Sequence, residues 1–163
     1  QERGGEVLKF IGDAMLAIFR CDKIGDEAAC KLALEAAADA LERLRLLNQA
    51  RDRDRAPRLD VGIALHLGDV MYGNIGARDR LDFTVIGAAV NLAARLEAKC
   101  PDLGEPLLAT SAFAASCPAG SLRSLGSHRL RDVRQPTQIF TLARKEAPAA
   151  VVKIRSGRRS ARR

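Results

Sequence analysis

Asp82-Phe83-Thr84-Val85-Ile86-Gly87-Ala88-Ala89-Val90-Asn91-Leu92-Ala93-Ala94-Arg95-Leu96-Glu97 is the stretch on which the fold of this chain turns. Its second half sets Val90, Leu92, Ala94 and Leu96 among alanines, which predicts a helix packed on a core. Asn91 and Arg95 interrupt that apolar pattern four residues apart, so they stand one above the other on a single helical face. An amide and a guanidinium sharing one stripe suit a polyanion on which charge develops. The plain alternative for Arg95 is an ion pair with Glu97 or a bond to a carbonyl at the helix C-terminus.

Outward from this helix the chain alternates short apolar runs with long helical patterns. Glu6 to Ile11 and Ala14 to Phe19 flank Gly12-Asp13 and predict a hairpin with a tight turn. From Ile24 to about Arg53, Cys30, Leu34, Ala37, Leu41 and Leu44 recur at helical spacing and predict one long helix ending before Pro57. Leu59 to His66 and Val70 to Gly76 flank Leu67-Gly68-Asp69, which predicts a second hairpin. The helix of the opening stretch runs from about Ala88 to Lys99, closed by Pro101 and Gly104. Leu107-Leu108-Ala109 predicts a strand, Ser111 the N-cap of a short helix, and Ser121 to Leu130 with Gln138 to Ala143 a final hairpin. Hairpins interleaved with helices predict an α+β fold, an antiparallel-rich sheet with helices packed on it.

The 163 residues, 47% hydrophobic and 29% charged, suffice for one core. No apolar run reaches the roughly 18 to 20 residues that cross a bilayer, and the start lacks the order of a signal peptide; the expected location is cytoplasmic. Cys21, Cys30, Cys100 and Cys117 form no C-x-x-C pair, and the two histidines, His66 and His128, lie at no metal-ligand spacing from them, so the thiols are expected reduced and mostly buried. The formal charge of +7 belongs to the end of the chain. From Arg144 onward there are eight basic residues and one acid, Glu146, so the preceding 143 residues balance at 19 against 19. A neutral body with a basic, aromatic-free tail argues against a nucleic-acid-binding domain. The expected division is therefore a domain over 1–143 and a basic tail or linker over 144–163, with contact to an anionic membrane surface as the lesser alternative.

Other polar residues admit more than one use. Lys9, among Leu8, Phe10 and Ile11, either snorkels its ammonium to an edge or meets a specific acceptor. Asp13 after Gly12 suits an Asx turn. Thr84 is an ordinary strand residue, and Asp82 a solvated carboxylate near Arg78 and Arg80.

Taken together, Gly4-Gly5-Glu6-Val7-Leu8-Lys9-Phe10-Ile11-Gly12-Asp13, the run from Gly62 to Gly76, Asp82 to Glu97, and Leu125 to Val133 resemble the class III nucleotidyl cyclase catalytic domain, of adenylate cyclase type. The resemblance covers most of the chain to about Leu142. It implies a ferredoxin-like, antiparallel-rich sheet and conversion of ATP to 3',5'-cyclic AMP and pyrophosphate. Asp13 matches the second of two aspartates that hold a magnesium or manganese pair, Mg2+ or Mn2+, which favour carboxylate oxygens. Lys9 and Thr84 match the pair that contacts the purine, where guanylate cyclases typically carry Glu and Cys, so ATP is the implied substrate. Asn91 matches the ribose-orienting asparagine, Arg95 the arginine that stabilises the pentavalent phosphorus, and Arg131 a basic residue at the distal phosphates.

The family builds its site between two catalytic domains, which implies a head-to-tail homodimer, or a pair with a related domain, in which Lys9 and Asp13 serve different sites. The first metal aspartate of the family lies on an opening strand upstream of Gly4-Gly5, which residues 1 to 3 do not supply, so the domain is expected to be N-terminally truncated. Ala88 stands where Asp or Asn is common, and Asp132 where Gly is common. The alternative function is a non-catalytic cyclase-like module for dimerisation or nucleotide sensing.

Overall fold

The computed structural model describes residues 2–77 and 80–143. The centre of the molecule is the four-residue strand β6, Leu107–Thr110, in which every residue is buried. Successive strand side chains point to opposite faces, and each face of β6 meets a helix.

Leu107 and Ala109 pack with Cys30, Ala33, Leu34 and Ala37, the buried stripe of the long helix α2, Asp26–Arg53, which follows the short α1, Cys21–Ile24. The expected single helix from Ile24 is thus interrupted at Gly25, the residue that caps α1. Leu108 packs on the other side with Leu96 of α3, Ala88–Glu97, and with Cys100 of α4, Cys100–Leu103, together with Leu130 and Ile139. Two helical layers therefore sandwich one strand. Each leucine fully buried in this way contributes roughly 1.5 to 3 kcal/mol relative to exposure.

β6 pairs in parallel with β3, Ile63–Leu65, and antiparallel with β8, Thr137–Leu142, which pairs antiparallel with β7, Leu122–His128. The order of this sheet is β3–β6–β8–β7. Two further antiparallel pairs stand beside it: β1, Glu6–Ile11, with β2, Ala14–Ile18, and β4, Met71–Ala77, with β5, Arg80–Ile86. The hairpins β1–β2 and β7–β8 form where the sequence places them.

The pairing expected across Leu67-Gly68-Asp69 does not form. β3 is an uninterrupted apolar triplet that joins the central sheet beside β6, whereas β4 runs antiparallel to β5 from Met71 opposite Ile86 to Ala77 opposite Arg80. A continuous apolar run marks a buried strand without specifying its partner. Gly68 has a different use here: a Cβ there would lie 2.8 Å from His66 Nε2 and 3.0 Å from Ala89 Cβ, so its lack of a side chain lets the 66–69 turn lie against α3.

The short helix α5, Ser111–Ala115, begins one residue earlier than expected: Thr110 is the N-cap and Ser111 the first helical residue. Asn48, buried inside α2, donates from Nδ2 to Leu59 O at 2.8 Å and accepts from Leu59 N at 2.9 Å, tying the segment after α2 back onto it. All four cysteines are free; Cys30 and Cys100 are buried, Cys21 and Cys117 half-buried. Burial pushes the Cys30 thiol up to about 12 and Cys100 to about 11, so both stay protonated and inert at neutral pH. Among the described residues no helix is long and apolar enough to cross a membrane. The proposed tail, 144–163, and the Arg78 neighbour expected for Asp82 lie outside the described residues.

Candidate active site

α3 starts at a backbone conformation that suits glycine. Gly87, its N-cap, has φ +154° and ψ 169°, a region that L side chains rarely enter, and a Cβ there would come within 3.2 Å of Asp69 O. From this start Leu92 and Leu96 turn toward the core cluster around Leu108. Asn91 and Arg95 fall on the neighbouring stripe, Asn91 exposed and Arg95 half-buried.

Arg95 reaches past Glu97 and its own helix to the turn between β7 and β8. Its Nη1 donates to the Asp132 carbonyl at 3.5 Å, and its Nη2 lies 3.7 Å from Asp132 Oδ2. Arg131 Nε lies 3.6 Å from that same oxygen. Two guanidinium groups from distant parts of the chain thus meet around one carboxylate. Asp132 holds φ +54°, a left-handed backbone that is costly for a residue with a Cβ and tolerated best by Asn and Asp. This explains why a glycine suits the position.

Thr84 sits in β5 opposite Gly73, and it is only 5% exposed. Among the described residues its Oγ1 has no hydrogen-bond partner. A buried hydroxyl left unsatisfied costs roughly 1 to 3 kcal/mol, so this one is poised for a partner that the described residues do not provide. Lys9, on β1, is half-buried and follows a register irregularity between Val7 and Lys9, the kind of bulge that re-aims a strand side chain. Asp13, at the β1–β2 turn, is exposed.

What binds the two hairpins together was missed in the sequence. Tyr72 of β4 donates its hydroxyl to the Glu6 carboxylate of β1, 2.9 and 3.1 Å from its two oxygens. The Arg20 guanidinium lies 4.9 Å over the same ring, and Phe83 of β5 meets it edge-on at 4.9 Å. Arg20 is fixed in turn by two bonds to Asp22, at 3.1 and 2.6 Å. Burial and the Glu6 carboxylate push the Tyr72 phenol up, so it remains the donor. Tyr72 is the only tyrosine in the chain, and that was the available signal.

The structure therefore brings Arg95 and Arg131 together, keeps Asn91 one turn before Arg95, and places Lys9 and Thr84 on the two hairpins that Tyr72 joins. Asp13 stands apart at a turn tip. Among the described residues no group of three or more His, Cys, Asp or Glu is placed to hold a metal ion. Asp13 is a hard oxygen donor suited to magnesium or manganese, but one carboxylate does not make a site for either.

Residues 1–103 match the sequence model of the adenylate and guanylate cyclase catalytic domain, and the chain belongs to that family. It is 37% identical over 123 residues to an adenylate cyclase of Anabaena cylindrica, covering 72% of this chain and 23% of that protein. It is 31% identical over 139 residues to adenylate cyclase 1 of Rhizobium meliloti (strain 1021), covering 79% and 20%. The chain thus spans less than a quarter of these relatives. Its fold is similar to that of a bacterial light-regulated adenylyl cyclase, with TM-score 0.67 and 29% identity over 86% of this chain and 40% of that one. It also matches the adenylyl cyclase CyaB from P. aeruginosa, at TM-score 0.72 and 24% identity over 86% and 72%, a likeness of fold. The α+β architecture is the class III cyclase fold, and the chain is a nucleotidyl cyclase catalytic domain by descent.

Proposed function

We propose that residues 1–143 form an adenylate cyclase domain that converts ATP to 3',5'-cyclic AMP and pyrophosphate between two copies arranged head to tail, with 144–163 as a basic extension. The observation that carries this is the convergence of Arg95 and Arg131 on one oxygen of Asp132. The half-buried Arg95 and the almost fully exposed Arg131 approach this point from separate elements, and two cations so placed are a ready contact for a polyphosphate.

In this scheme the ribose 3'-hydroxyl gives up its proton to water as its oxygen attacks the α-phosphorus, the new P–O bond closes the ring, and the bond to pyrophosphate breaks. Arg95 stabilises the charge that grows on the α-phosphate oxygens, and Arg131 holds the distal phosphates. Asn91, one turn earlier on the same stripe, orients the ribose. Thr84 offers its partnerless hydroxyl to the adenine amino group, and Lys9 donates to the adenine ring. Asp13 would contribute one carboxylate to a magnesium or manganese ion, which would help the ribose 3'-hydroxyl to ionise. The lone carboxylate at Asp13 is also what favours a second scheme, a cyclase-like module that dimerises or senses nucleotide without turnover.

Incubation of the purified protein, as this chain and within any longer polypeptide that contains it, with ATP and manganese separates the two. Cyclic AMP is the expected product, and its absence from a folded dimer defeats the enzyme. Lys9→Glu combined with Thr84→Cys is expected to move preference from ATP toward GTP, whereas an unchanged ratio of the two kcat/KM values removes both residues from the purine.

A further inference from the structure

Asp132 combines backbone strain with a contact to both phosphate-facing cations. The turn that carries it is closed by Val133 N–H donating to Leu130 O at 3.2 Å. Leu130 and Val133 pack in the same cluster as Leu96, the residue after Arg95. This apolar packing, together with the Asp132 carbonyl, keeps the turn beside Arg95 whatever side chain position 132 bears. The carboxylate adds something separate. It lies 3.7 Å from one guanidinium and 3.6 Å from the other, longer than a good hydrogen bond, and its side chain is 67% exposed. Such a contact neutralises charge yet is released easily.

Two guanidinium groups aimed at one point repel each other unless an anion stands between them. We propose that Asp132 is an internal counter-ion, a positioning residue that holds Arg95 and Arg131 together before nucleotide arrives and that a polyphosphate chain must displace. It thereby sets the affinity of the site for phosphates. The proposal rests on the assignment of Arg95 and Arg131 to phosphate, and not on cyclisation.

The probe is inorganic tripolyphosphate, titrated into the purified full chain by calorimetry at several salt concentrations. D132N keeps a residue that accepts the left-handed backbone, and D132G relieves the strain as well, so loss of folding in one leaves the other. Both are expected to bind tripolyphosphate about fivefold tighter, the worth of one unit charge near 4 Å in water. Both should also depend more steeply on salt, because two uncompensated cations release more counter-ions. With ATP as substrate, KM falls by a similar factor, because the carboxylate no longer competes with the phosphates for the two cations; a merely structural Asp132 would shift the melting temperature and leave the salt slope alone.

Unchanged or weaker tripolyphosphate binding in both variants, with an unchanged salt slope, overturns the proposal. Wild-type binding retained in Arg95→Ala and Arg131→Ala overturns it together with the phosphate assignment beneath it. Tighter binding in D132N without any cyclic AMP from the wild type upholds the counter-ion and defeats the cyclase.

Discussion

Every residue of β6 is buried between two helical layers, whereas the hairpins beside that sheet leave their largest apolar side chains in water. Phe10 is 72% exposed and Met71 70%, with Ile11, Met15, Phe83 and Ile86 exposed as well. The central sheet therefore carries stability, and the hairpins carry the exposed Asp13, the half-buried Lys9 and the buried Thr84 beside apolar side chains that the chain leaves uncovered. Phe10 stands opposite Met15 and Met71 opposite Ile86, so each hairpin holds an exposed apolar pair of the kind that association commonly covers. α3 belongs to both regions, with Leu96 in the core and Arg95 at the site. The contrast separates substitutions that cost turnover from those that cost folding.

The largest effect is expected at the site. Arg95→Ala should lower kcat for cyclic AMP formation by about 10² to 10³, as loss of one charged donor to developing charge commonly does, with little change in melting temperature because its ion pair is long and partly exposed. Arg95→Ala that melts early with intact kcat would move Arg95 to the structural side. Leu108→Ala is the converse, expected to cost about 2 to 5 kcal/mol of stability in denaturant titration. Leu108 packs with Leu96 of α3 and Ile139 of β8, so a cost well under 1 kcal/mol would mean that β6 is not the centre of the core.

A smaller and more selective effect is expected on the hairpins. Phe10→Ser with Met71→Ser should change monomer stability by no more than about 0.5 kcal/mol, the usual range for exposed positions, while lowering the dimer fraction in sedimentation. If association is untouched, Phe10 and Met71 are not where two copies meet. Stability that falls steeply would show the hairpins to be part of the core.

The sequence told most about these regions where the cause is local. α2, α3 and the hairpins β1–β2 and β7–β8 follow from periodicity and turn residues, and Arg95 was conspicuous as a charge on an apolar helix. β3 was paired with the wrong strand because its parallel partner β6 lies far along the chain and leaves no mark on the Ile63-Ala64-Leu65 triplet itself. The Arg95 contact was likewise hidden: Glu97 was the near neighbour in sequence, and Asp132 became the neighbour only through the packing of Leu96 with Leu130 and Val133. Thr84 is ordinary as a letter in a strand. Only its burial without a partner sets it apart. The roles proposed for Lys9, Asp13, Thr84, Asn91, Arg95 and Arg131 all come from family resemblance, and the structure supplies only their positions.

His66 offers the finest test of the division, since it lies where the core side meets the start of α3. Its Nδ1 is 2.8 Å from Thr110 Oγ1, at the buried end of β6. Burial lowers its pKa below the ordinary 6.5, so the folded state favours the neutral ring. The unfolded chain therefore binds more protons once pH drops below about 6.5, and the stability that the neutral ring confers is complete above that value and lost progressively beneath it. His66→Asn retains a side-chain partner for Thr110 and cannot titrate. Its denaturant midpoint is expected to fall less than the wild type's between pH 7 and pH 5, and parallel profiles would show that His66 is already as solvated as in the unfolded chain and that the core side ends before it.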